Sequence, residues 1–163
     1  MVRSRTLLAL VVGGIVFLVS SPGAVSSNLA RQAQLSGQEQ SLLNAINRAR
    51  ARHGRQPLRI ASPLQRAARS HSSAMLRTGS FTHGDWYRRL RRNGARGRTL
   101  GETIAWGVGT DGTAAAIVRM WLASPPHRAT MLHRGFRYVG VGVANGTFSG
   151  FGGASLATAD FAG

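Results

Sequence analysis

Phe81-Thr82-His83, Gly101-Glu102-Thr103-Ile104-Ala105 and Trp121-Leu122-Ala123-Ser124-Pro125-Pro126-His127-Arg128 are the three pieces of this chain whose reading decides the rest. They gather two of its five histidines and one of its five acidic residues, each flanked by apolar or aromatic neighbours at what reads as a turn or an element boundary. A carboxylate set in a run as apolar as Leu100 to Gly107 is costly to bury unless a cation or a hydrogen-bond donor meets it. The partners on offer are His83, His127, an arginine or a bound cation.

The stretches on either side of this centre supply helices. Ser36-Gly37-Gln38-Glu39 has the form of a capping box, and Leu42, Leu43, Ile46 and Ala49 then recur at helical spacing, with Gly54 as the left-handed stop. Arg48, Arg50 and Arg52 fall largely on the opposite face and are expected in solvent. Ser62-Pro63 opens a second helix, with serine as cap and proline in its first turn; Leu64, Ala67, Ala68, His71 and Met75 line one face, and Gly79 ends it. His71, on that apolar stripe, reads first as a hydrogen-bonded core residue and second as a ligand. Asp85 caps a short helix carrying Trp86, Tyr87 and Leu90, closed by Asn93-Gly94. Thr110 or Asp111 caps the helix through Ile117 and Trp121, and Ser124-Pro125 stops it while capping the turn that bears His127.

The C-terminal part is β. Val139, Val141 and Val143 alternate with Gly140 and Gly142, so the valines face a core and the glycines admit another backbone. Asn145-Gly146 signals a turn, with a partner strand over Ala154 to Phe161 or, in a tighter hairpin, Thr147 to Phe151.

At the other end, Arg3 and Arg5 precede an apolar run of thirteen residues, Leu7 to Val19, and small residues follow. Residues 1–26 read as a secretory signal peptide cleaved after Ser26, residues 27–37 as a linker and 38–163 as the single domain. A spanning helix needs roughly 20 apolar residues, so no stable membrane span is expected after cleavage. With no cysteine in 163 residues, disulfides, thiolate nucleophiles and cysteine-held metals are excluded. The net charge of +16 becomes +14 without Arg3 and Arg5, and all 21 basic residues are arginine. Such a field attracts polyanions, and for an exported protein these are envelope components rather than nucleic acid. Arg88, Arg89, Arg91 and Arg92 form the densest positive patch, beside Trp86 and Tyr87. They read either as an anion-binding surface or as a solvated face whose arginine stems cover apolar groups.

Taken in order, these residues resemble the CAP superfamily of cysteine-rich secretory proteins, antigen 5 and pathogenesis-related proteins (the SCP domain), in its bacterial exported branch. The likeness runs from about Gln38 to Phe161. It rests on Leu43-Asn44-x-x-Asn47-x-x-Arg50, Leu64-x-x-Ala67-Ala68-x-x-His71-Ser72-x-x-Met75, the three central pieces, Val139-Gly140-Val141-Gly142-Val143 and Asp160-Phe161. The resemblance implies an α+β fold, a three-layer α-β-α sandwich with a small antiparallel sheet, whose central cleft is lined by two histidines and two acids. His83 and His127 match the histidines and Glu102 the first acid, while Ser124 stands where the second acid belongs.

His83, Glu102 and His127 would suit zinc or another divalent cation, with Ser124 and His71 lining the cleft. The expected protein is a secreted monomer, a binding module of the cell envelope or extracellular space that takes a cation or small ligand. Metal-dependent hydrolysis of peptide or wall material is the enzymatic alternative, in which His83, Glu102 and His127 are the catalytic candidates. It lacks an evident base to activate water, since Asp85, Asp111 and Asp160 qualify only by position or elimination. Electrostatic adhesion of the arginine patch to anionic envelope polymers or lipids is the third reading. A network of the three residues that only ties loops together is the fourth.

Overall fold

The computed structural model describes residues 34–163, so the expected signal peptide and most of the linker lie outside the described residues. Helix α1 (Gly37–Arg52) starts as its sequence requires: Ser36 Oγ accepts from the Glu39 amide, and Glu39 Oε2 accepts from the Ser36 amide. The same Glu39 carboxylate takes two bonds from Arg69, at 2.7 and 2.6 Å, joining α1 to α2 (Ser62–Thr78). After α2, which ends at left-handed Gly79, come α3 (Trp86–Arg92), capped by Asp85, β2 (Leu100–Val108), a 3-10 turn over Gly109–Gly112, α4 (Ala114–Ala123) and α5 (Pro125–Met131). β3 (Tyr138–Phe148) and β4 (Phe151–Ala162) complete the chain, and β1 (Arg59–Ile60) precedes α2.

The strand order is β1-β3-β4-β2, antiparallel except that the two-residue β1 runs parallel to β3. Side chains alternate across this sheet and divide the core in two. Val139, Val141, Ala157, Ala159, Phe161 and Ala105 pack with Leu42, Ile46, Ile117, Trp121 and Met131 of α1, α4 and α5. On the other face Ile104, Phe148, Ala154 and Leu156 pack with Met75 of α2, while Leu64 and Leu90 join Ala95 and Ala162. The result is the expected three-layer α-β-α arrangement. Gly140 and Gly142 explain how tightly α2 lies on the sheet: a Cβ at Gly140 would stand 2.0 Å from the Leu64 carbonyl carbon, and one at Gly142 would stand 2.4 Å from that of Ala68.

Several local expectations are corrected. The strand continues through Asn145-Gly146, with a shift of register between Gly146 and Phe148, and the reversal falls at Ser149-Gly150, with φ of 50° and 84°. Asn145 is held in the ladder by side-chain bonds to Gln38 and Ser155, which outweigh its turn preference. Leu100 to Val108, which had no assigned element, is a full edge strand, so Glu102 sits within a strand rather than at a boundary. Arg50 is not in solvent but fully buried, its guanidinium bonded to the carbonyls of Gln56, Met131, His133 and Phe136. Thr113, not Thr110 or Asp111, caps α4, and Ala61 takes the cap position of α2. Ser124 begins α5 by backbone conformation alone, with no side-chain cap bond.

Candidate functional site

The register of the sheet builds the floor of the site. Glu102 on β2 lies opposite Asp160 on β4, which lies opposite Gly140 on β3, so both carboxyls share one row on the face covered by α2 and α3. Both are buried, at 6% and 0% exposure. The cost of burying Glu102 is met by charge-assisted bonds to both oxygens. Oε1 accepts from His83 Nδ1 at 2.7 Å, and Oε2 accepts from Arg89 Nη2. Arg89 also donates to the His83 carbonyl, fixing the loop that carries the imidazole.

Asp160 stands differently, for neither of its oxygens accepts a hydrogen bond among the described residues. Burial pushes its carboxyl well above the usual carboxylate range; the Glu102 charge pushes the same way and Arg89 opposes them. Its surroundings therefore favour the protonated acid over the carboxylate. His71, on the inward stripe of α2, is bonded through Nε2 to the Thr82 carbonyl at 2.9 Å and stands 4.0 Å from Glu102. Burial is the main reason its pKa is lowered, with the neighbouring Glu102 charge opposing. It supports the His83 loop from beneath.

His127, at the start of α5, completes the group from the other layer. Its ring centroid lies 5.7 Å from that of His83 with the planes tilted by 45°. Neither of its ring nitrogens has a hydrogen-bond partner among the described residues, and burial followed by the proximity of His83 lowers its pKa. His83, His127 and Glu102 thus do come together, but as a chain rather than a ligand triad: Arg89, Glu102, His83, then His127. Among the described residues no three or more histidines, aspartates or glutamates are placed to hold a metal ion together. Two imidazoles are left as donors, and the carboxylate orients one of them. That arrangement suits a two-histidine cation site whose other positions water would fill.

Two participants escaped the sequence reading. Arg89 belongs by sequence to the exposed patch, yet it turns inward; its spacing three residues after Trp86, on the same side of a short helix, was the available signal. Asp160 was a base only by elimination, and nothing short of the strand register joins it to Glu102. The patch itself shrinks. Arg91 is committed to the Tyr87 ring and to the Ala95 and Gly97 carbonyls, and Arg88 pairs with Asp85, leaving Arg92 as its freest member. A separate cleft of about 520 Å³ lies on the other layer, between the N-terminal ends of α1 and α4, lined by Gln38, Ser41, Arg48 and Thr113 among others.

Residues 43–158 match the family described as CAP, the cysteine-rich secretory protein family. The chain belongs to the CAP family. Among its relatives, an uncharacterized protein YkwD of Bacillus subtilis is 30% identical over 115 residues, covering 68% of this chain and 44% of YkwD. An uncharacterized membrane protein of the same organism, YlbC, is 32% identical over 127 residues, covering 75% of this chain and 36% of YlbC. This CAP domain therefore spans less than half the length of these two relatives. An extracellular protein of Bacillus anthracis that contains an SCP domain has a similar solved structure, with a TM-score of 0.66 at 27% identity over 77% of this chain and 40% of that one.

Proposed function

We propose that this CAP domain is an extracellular binding module whose His83–His127 pair takes a divalent cation of the zinc type, or a small ligand able to bridge two imidazoles, without turning it over. The supporting observation is the 2.7 Å bond between His83 Nδ1 and Glu102. It fixes the tautomer of His83 and leaves Nε2 as the free nitrogen, the role that carboxylate partners play behind metal-bound histidines. Burial keeps His127 neutral, the form in which an imidazole donates to a cation.

Hydrolysis would need a free base. Glu102 has both oxygens engaged, Asp160 is fully buried where ionisation is disfavoured, and Ser124 replaces the family's second acid. A binding role asks for none of these. The test is a zinc titration followed by thermal unfolding. Wild type is expected to melt several degrees higher at saturating zinc, and His83→Ala or His127→Ala is expected to abolish the rise. A wild-type protein indifferent to zinc, cobalt and copper would leave the trio as a structural network.

A further inference from the structure

A second feature of the same sheet face is independent of the histidine site. α2 covers this face only as far as Gly146, whose position meets the Leu76 side chain, and the helix ends at Thr78. The β3–β4 hairpin continues past it. Beyond the helix end the exposed face of the sheet is aromatic: Phe148 and Phe151 face each other across the hairpin, and Trp106 on β2 lies against both, at 5.1 and 6.1 Å between centroids. Phe81, from the loop after α2, closes onto Phe148 at 6.5 Å. Phe148 is buried as the base of this group, whereas Phe81 is 42% and Phe151 56% exposed and Trp106 is half-buried. Large apolar groups left in water together mark a surface that something else covers.

The charge around it says what that is. Three of the five carboxylates, Glu39, Glu102 and Asp160, are buried, so the acids at the surface are Asp85 and Asp111, whereas of the arginines among the described residues only Arg50 is buried. Exposed Arg77 sits in the last turn of α2, next to Leu76 and just before the Phe81 loop. An aromatic tip on a strongly cationic body matches a surface that offers anionic headgroups above an apolar layer. We propose that the Phe81–Trp106–Phe151 end of this face is a docking surface for an anionic lipid bilayer. Phe81 and Phe151 enter the headgroup boundary and Trp106 lies at its level. Glu102 and Trp106 point to the same side of β2 about 13 Å apart, so a docked domain holds its His83 opening close to the membrane plane.

The absence of cysteine allows a local test on the full chain that an apolar N-terminus does not confuse. Gly152, where a Cβ meets nothing within 4 Å, is replaced by cysteine and labelled with a polarity-sensitive dye; Arg119→Cys, on the exposed side of α4 in the other layer, is the matched control. On vesicles of equal parts phosphatidylglycerol and phosphatidylcholine, the dye at 152 should shift to the blue and be quenched by doxyl lipid, and the dye at 119 should do neither. Phosphatidylcholine alone or high salt should weaken the signal at 152. Adding Phe81→Ser and Phe151→Ser, both at exposed positions, should lower vesicle affinity as read at 152 about tenfold. An unchanged dye at 152, equal responses at both labels, or indifference to the two Phe→Ser changes would each overturn the proposal. So would retention on insoluble wall glycan that needs Phe81 and Phe151 while vesicles leave the dye unmoved. Zinc plays no part in this readout, so the two proposals stand or fall separately.

Discussion

Glu102 shows how a single buried carboxylate organises its surroundings. It is 6% exposed on an edge strand, and its two oxygens go to partners from different elements, a loop histidine and an arginine on α3. Substituting Glu102→Gln leaves the Arg89 cation in a site where its side chain is only 17% exposed. The expected loss is about 3 kcal/mol in urea unfolding, because the penalty is that of an unpaired buried charge rather than of one missing bond. Removing the charge as well, in Glu102→Gln with Arg89→Leu, should recover part of it, and a double variant as unstable as the sum of its singles would show that the two groups do not act together. At this scale the sequence announced that Glu102 needs a partner and named an arginine among the options. Which arginine was hidden, because a run of four in five residues gives each the same apparent exposure until the packing of Trp86 and Leu90 turns α3 about its axis.

Among the elements, the packing of α2 on β3 sets the layer that covers the site. The alternation of valine and glycine predicted both faces of that strand: Val139 and Val141 are fully buried, and the helix backbone lies over Gly140 and Gly142. Gly140→Ala places a methyl group against the Leu64 backbone, which cannot move aside as a side-chain tip would. Thermal or chemical unfolding should register a loss of about 2 kcal/mol or more, at the high end for overpacking. The hairpin was less legible. Asn145-Gly146 has the composition of a turn, but pairing extends it as strand to Phe148 and leaves Ser149 and Gly150 to reverse the chain. Local preference there amounts to about 1 kcal/mol or less, and a ladder with side-chain anchors at Asn145 exceeds it.

For the molecule as a whole, the buried ionisable groups set opposing limits on pH. His71 and His127 have lowered pKa values, first through burial, so the folded state resists their protonation. Their contribution is present above the usual histidine range near 6.5 and is lost as pH falls below it. Asp160 has a raised pKa, so its contribution is present below the ordinary aspartate range and declines as pH rises. Two measurements separate these arms. In chelator, His127→Gln should flatten the fall in melting temperature between pH 6.5 and about pH 5. Asp160→Asn should gain on wild type as pH rises above the ordinary aspartate range, since an amide of the same shape has no charge to bury; a gain independent of pH would mean that folding does not raise the Asp160 pKa.

The sequence by itself determined the helices and their ends where the signals are local: the Ser36–Glu39 box, the Asp85 cap, the glycine stops and the inward stripe of α2. Its ordered motifs also carried the resemblance to the CAP superfamily, which implied the fold and singled out His83, Glu102 and His127. Only the tertiary structure decided what those residues are to one another. Strand register set Asp160 beside Glu102, helix rotation delivered Arg89, and the length of α2 relative to the β3–β4 hairpin left Phe81, Trp106 and Phe151 uncovered. Each of these depends on contacts between segments far apart in the chain, which burial and pairing fix together and no local pattern encodes.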